Sequence, residues 1–269
     1  MLRDIDPEPF FFGPAEAQLF GIYHQPRTRD RRAQTGVVIC YPIGQEYIRS
    51  HAALAALACR LARSGFHVLR FDYGGSGDSQ GETCDLATCK RDVARAVEEL
   101  RRGAALSRVW LLGLRLGANL AAEAVALASN IHGLVLWEPV IRGEPHLAEL
   151  RGLQSQWVAS QCEPAGQSND SGQEILGFWL SGALQKQIQA IDMLDSERPR
   201  VTSIVLLGEA NRPSPLLEQL ERALTSAGTP VVSTSIRSGG FWYKVEDKQA
   251  AIIPNQALDE IVECLSTVS

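Results

Sequence analysis

The chain has no apolar run approaching the roughly 20 residues needed to cross a bilayer, no C-x-x-C pair, and no histidine beyond His146. Each absence excludes something. Without such a run no helical membrane span is expected, and MLRDIDPEPFFFG is too acidic and too short in apolar length for a secretory signal. A cytoplasmic protein is therefore expected. Six cysteines (Cys40, Cys59, Cys84, Cys89, Cys162, Cys264) lie scattered with no His at ligand spacing, which argues against a disulfide framework and against zinc. No metal and no cofactor are expected. Positive charge is also short: 26 Lys and Arg against 31 Asp and Glu give a formal net charge of −5, so no basic field recruits nucleic acid or an anionic membrane. The run Arg27-Thr28-Arg29-Asp30-Arg31-Arg32 is local and reads as a solvated hairpin loop.

What is present is alternation. Strands are expected at Ala17–His24, Gly36–Tyr41, His67–Tyr73, Val109–Leu114, Gly133–Glu138, Ser203–Gly208 and Val231–Ile236. VVICY, VWLLGL, LVLW and IVLLG are continuous apolar runs of strand length, as a sheet buried on both faces requires. Between them, Arg49–Ser64, Asp85–Arg102, Leu116–Ser129, Pro215–Ala227 and Asn255–Ser266 carry apolar residues at helical spacing. This rhythm predicts a mostly parallel, doubly wound α/β sheet with helices on both faces.

One region breaks the rhythm. Between Gly143 and Pro199 no strand is expected. Two amphipathic helices, about Glu144–Ser160 and Ile175–Leu194, flank the polar stretch Gln161–Gln173. The expected organisation is a core of residues 1–142 and 200–269 with a helical lid, 143–199, over the carboxyl ends of the strands, where open α/β sheets bind ligands.

Four stretches follow strands in a telling order: YPIGQEY at 41–47, RFDYGGSGDSQGE at 70–82, GLRLGA at 113–118 and LLGEANRP at 206–213. The Gly-x-x-x-Gly of 113–117 has the spacing of G-x-S-x-G, a strained strand-to-helix turn that exposes one side chain. Over nearly its whole length the chain resembles an α/β-hydrolase of the serine aminopeptidase-like superfamily. CYPIGQEYIRSHAAL, VLRFDYGGSGDSQG, LLGLRLGANLAA and LVLWEPVIRG are similar to a bacterial subgroup, the exosortase A-associated hydrolases and their relatives in biosynthetic clusters. That resemblance implies the hydrolase fold and an oxyanion loop at Pro42, Ile43 and Gly44.

Acyl transfer on this fold uses a Ser, a His to take its proton, and a carboxylate to hold the His. Here the nucleophile position is Arg115, a permanent cation without a usable lone pair. The acid position falls at or near Asn211, and the His position, about Gly240, lies in SGGFWYKVED (238–247), which contains no His. Of the five histidines, His67 and His132 sit at the bottom ends of strands, while His51 and His146 read as surface residues at helix starts. A pseudoenzyme is the consequence.

Arg115 at a helix N-terminus offers a fork for a carboxylate or phosphate. A buried guanidinium also needs a partner, and Glu46 and Glu138 are the candidates. Both uses can coexist. The expected ligand contacts are Arg115, Leu116, Pro42, Ile43, Gly44, Glu46, Glu138 and Trp242, with Trp157 and Trp179 in the lid packing or lining an apolar pocket. Two functions follow from this reading. One is a triad-less binding protein for a small acyl-bearing or anionic molecule, an acyl carrier partner or an acyl-activating enzyme. The other is an enzyme, either one using Arg115 with Glu138 or Glu46 without a covalent nucleophile or a divergent hydrolase or acyltransferase.

Overall fold

The computed structural model describes residues 7–27, 34–82, 85–161, 168–169, 171–240, 242 and 253–269. In chain order the elements are β1 (Glu8–Phe12), β2 (Leu19–His24), β3 (Thr35–Cys40), α1 (Gln45–Arg63), β4 (His67–Phe71), α2 (Leu86–Ala104), β5 (Arg108–Leu114), α3 (Leu116–Ala124) and β6 (Ile131–Trp137). There follow α4 (Gly143–Gln161), β7 (Ser168–Asn169), β8 (Gly172–Ile175), β9 (Phe178–Ser181) and α5 (Gly182–Gln189). The chain ends with β10 (Ser203–Glu209), α6 (Pro215–Ser226), β11 (Val231–Ile236) and α7 (Asn255–Val268).

Eight strands form one sheet in the order β1-β2-β4-β3-β5-β6-β10-β11. From β4 to β11 every pairing is parallel, and β1 and β2 join antiparallel at one edge. The runs that read as buried on both faces are so: all of β3, and β5 from Val109 onward, are buried. Helix α1 packs on α7 and β4, and α2 packs on α3 and β3. Local chemistry sets the helix starts. Asp85 caps α2 by accepting the Thr88 N–H at 3.0 Å, and Ser214 caps α6 ahead of Pro215.

The structure corrects the sequence reading in three places. Strand β1 was not expected, because its EPFFF run is short and contains Pro9; an edge strand tolerates that residue. The helix expected to reach Ser129 ends at Ala124 and continues as turns. Within 143–199, α4 matches the first expected helix, but β7, β8 and β9 form a separate antiparallel sheet. The apolar residues of 175–194 belong to two elements in succession, a hairpin and then the eight-residue α5, so their merged spacing imitates one helix. Leu176 and Gly177, at φ 52° and 82°, make the tight turn between β8 and β9. Residues 162–167 and 170 of the polar stretch, 28–32 of the basic run, Cys84 and Cys162, and most of 241–252 lie outside the described residues.

The insertion between β6 and β10 touches the core at the strand tips. Arg142 bridges to Asp192, Leu86 N–H donates to Gln187 Oε1 at 2.9 Å, and Phe178 of β9 lies over Gly44.

Candidate functional site

Strand β5 ends at Leu114 and α3 begins at Leu116, leaving Arg115 alone in the turn at φ 52°, ψ −124°. For a side-chain-bearing residue this backbone region costs on the order of 1–3 kcal/mol. The flanking glycines are a steric necessity. A Cβ on Gly113 would collide with the backbone of Gly117 and Ala118, and one on Gly117 with the carbonyl oxygens of Cys40 and Tyr41. The turn is pinned by Arg115 N–H donating to the Trp137 carbonyl at 2.9 Å.

The guanidinium is largely withdrawn from water; its side chain is 10 % exposed. Its Nε–H donates to Glu46 Oε1 at 2.9 Å, and Glu46 on α1 is itself only 5 % exposed. Nη2 donates to Glu149 Oε2 at 2.9 Å and lies 3.1 Å from His146 Nδ1, both on α4. Arg212 closes the cluster: its Nη1 and Nη2 each stand 3.1 Å from Glu149 Oε1. Glu149 is thus held between two cations.

Protonation follows from this packing. Burial, with the Arg115 cation beside it, lowers the His146 pKa to about 3, so the ring is neutral. Because Nδ1 accepts from Arg115, the single ring proton is on Nε2. His146 is therefore no substitute for a triad His: its nearest lone pair is already engaged. Burial pushes Glu46 up against the opposing pull of Arg115. Burial also disfavours the Glu149 anion, but Arg115 and Arg212 outweigh it and hold its pKa below the usual carboxylate value.

Glu138 does not form the expected ion pair with Arg115. It turns at φ 47° at the tip of β6, and its Oε1 accepts the Glu209 N–H at 2.5 Å. Burial, the largest influence, raises its pKa. The carboxylate at the expected acid position is also displaced. Asn211 is exposed, whereas Glu209, two residues earlier, is buried and accepts from Ser238 N–H at 3.1 Å and from Ser238 Oγ. Gly240 is buried beside that contact, donating its N–H to Ser238 Oγ at 3.3 Å.

Beside Arg115 lies a cleft of about 350 Å³ lined by Arg115, Glu138, His146, Glu149, Arg212 and apolar residues including Val140 and Leu216. Of the expected contacts only Arg115 and Glu138 line it. Pro42 and Leu116 are buried, and Ile43 and Gly44 are half-buried. Trp242 is also buried, edge-to-face on Trp137 at 5.8 Å. Trp157 is half-buried and Trp179 is 45 % exposed. His51 is exposed and stacks on Tyr41, as a surface residue would. His146, by contrast, is buried, and it was missed together with Glu149 and Arg212. The available signal was His146-x-x-Glu149, whose i,i+3 spacing puts both side chains on one helix face. Among the described residues no group of three His, Cys, Asp or Glu could hold a metal ion, and no helix is long and apolar enough to cross a membrane.

A mostly parallel eight-stranded sheet with a strained one-residue elbow after β5 places the molecule in the α/β-hydrolase class. The family model for serine aminopeptidase, S33, matches residues 45–208, and the chain belongs to that family. Among solved structures it is similar to an esterase from Pyrococcus furiosus (13 % identity, TM-score 0.65, 97 % of this chain and 91 % of that one). It is also similar to an α/β serine hydrolase without lid from Xanthomonas campestris (14 %, 0.58, 99 % and 95 %). A third is Est1E from Butyrivibrio proteoclasticus with ferulic acid bound (13 %, 0.62, 96 % and 97 %). At these identities the likeness is one of fold. A comparison with curated protein sequences finds no match.

Proposed function

We propose that this protein is a pseudoenzyme of its family, a binding protein that takes a small acyl-bearing or anionic molecule in the cleft beside Arg115, free or carried by an acyl carrier partner. Segment 143–199 serves as the lid. The observation that carries the reading is the occupancy of the elbow: a cation without a nucleophilic lone pair stands there, tied to Glu46, Glu149 and the lone pair of His146. The cleft volume lies at the lower end of the range for small-molecule sites. One fold neighbour holds ferulic acid, a carboxylic acid. A fluorophosphonate probe followed by intact mass is expected to leave the protein unmodified. A thermal-shift panel of acyl-CoAs, acyl-pantetheines and carboxylates is expected to find a stabilising ligand. A stoichiometric adduct, or a panel with no stabiliser, overturns the reading.

Glu138 favours a second reading, an enzyme without a covalent nucleophile. Its raised pKa and its place in the cleft suit a general acid or base beside an electrophilic Arg115.

A further inference from the structure

The contacts of Glu149 are those of a bound ligand rather than of a surface side chain. Its two carboxylate oxygens receive N–H groups from two arginines, Oε2 from Arg115 and Oε1 from both terminal nitrogens of Arg212. Charge-assisted contacts of this kind are how proteins hold carboxylates. The two arms belong to the core, Arg115 at the elbow after β5 and Arg212 after β10. The occupant comes from the inserted helix α4.

Arg115, the inner arm of the fork, is fixed without Glu149. Nε–H of Arg115 is anchored by Glu46, and one Nη2 proton points to His146. Arg115 Nη1 makes no hydrogen bond to the described residues, so donor capacity remains at a cleft wall. Beside the fork the cleft wall is apolar, with Val140, Ile141, Pro145, Pro213 and Leu216.

Resting on the reading of the cleft as a ligand site, we infer that Glu149 is an internal occupant and that a monocarboxylate with an apolar chain takes its place between Arg115 and Arg212. Exchange is charge-neutral at the fork, since one carboxylate leaves as another enters. Glu149 is already 26 % exposed, so it moves to water over a short path. The lid helix that carries Glu149 loosens as the ligand binds. Affinity in the resting protein is reduced by the fraction of time the fork is open.

Octanoate is the probe, with octanamide as its uncharged counterpart, measured by calorimetric titration of the full chain. If Glu149 fills the fork about nine parts in ten, Glu149→Gln binds octanoate roughly tenfold more tightly than the parent, while octanamide, which lacks the charge to hold Arg115 and Arg212, gains less. Glu149→Asp, which keeps the charge but shortens its reach, falls between them and stands in should the Gln variant fold poorly. Arg212→Gln in the Glu149→Gln background loses the gain. In the parent, octanoate raises hydrogen exchange along residues 143–161. Equal octanoate affinity in Glu149→Gln and parent, or an equal gain for octanamide, overturns the inference. Either result leaves the pseudoenzyme reading intact, because that stands on the fluorophosphonate and panel experiments.

Discussion

Replacing Arg115 with methionine removes the cation and every side-chain N–H donor but keeps a long side chain and a Cβ in the strained turn, so it removes the guanidinium without emptying the position. Glu149 retains Arg212 in the variant. Among the described residues Glu46 has no second cation: its ion pair is with Arg115, and it is 5 % exposed. Stripping one partner from a buried pair costs about 3–5 kcal/mol, because the other charge is left unsolvated. Against a total stability on the order of 5–15 kcal/mol, that is about a fifth or more. Urea unfolding at pH 7.5 reads it as a lower midpoint at unchanged slope.

The pH dependence separates this mechanism from simple loss of packing. In Arg115→Met the Glu46 carboxyl, already pushed up by burial, loses the cation that opposes the rise. A carboxyl whose folded pKa lies above its unfolded value penalises the fold at neutral pH, and the penalty fades as pH falls. The deficit relative to the parent therefore shrinks as the pH falls from 7.5 towards the unfolded carboxyl value of about 4.3. His146 acts in the same direction, since part of its depression comes from Arg115. Adding Glu46→Leu to Arg115→Met should recover most of the loss, as apolar replacement of a buried pair often does. A deficit below about 1 kcal/mol that does not change with pH would refute the argument, because Glu46 would then not be stranded by the loss of Arg115.

Two further outcomes test the elbow and its neighbour. Arg115→Gly should be more stable than Arg115→Ala by roughly 1–2 kcal/mol in urea titration, since only glycine adopts φ 52°, ψ −124° without strain. His146, with its folded pKa of about 3, should show no ring titration by NMR between pH 5 and 8. Below pH 6.5 the unfolded chain binds the extra proton and the folded one does not, so each pH unit down to that value costs about 1.4 kcal/mol, a slope that His146→Gln abolishes.

The sheet and the elbow were legible because each is fixed by a strong local constraint. VVICY and VWLLGL could only be strands buried on both faces, and Gly113 and Gly117 marked a turn where no Cβ fits. Since the fold brings the loop after β3 to the elbow, Glu46 could be proposed as the partner of Arg115 before any coordinates. Glu138 was placed at the right strand tip, but its backbone turn sends the carboxylate to the Glu209 N–H. His146 and Glu149 were out of reach for a different reason. The helix that carries them was expected, but it belongs to an insertion whose position relative to the core is set by no strand register, so the spacing placed the two on one face without showing that this face meets Arg115. Arg212 stands beside the expected acid Asn211, yet reading that turn for a missing carboxylate gave no reason to notice a cation.

The burial gradient across the cluster bears on whether Arg115 is a filler of a silent centre or a clamp. Inward, the Arg115–Glu46 contact is 10 % and 5 % exposed, so opening it strands charge. Outward, Glu149 is 26 % exposed beside Arg115 and Arg212 is 56 % exposed, so release of Glu149 leaves no carboxylate buried, and its half-exposed pair with Arg212 is worth about 0–1 kcal/mol. One guanidinium therefore has a fixed edge and an exchangeable edge. The fixed edge holds Nε on α1 and keeps the strained turn loaded. The exchangeable edge holds α4 only as firmly as a half-exposed carboxylate allows. A ligand carboxylate at that edge competes with a weak internal contact rather than with the core. On the proposed reading, this is how an elbow without its nucleophile still couples binding in the cleft to the position of the lid.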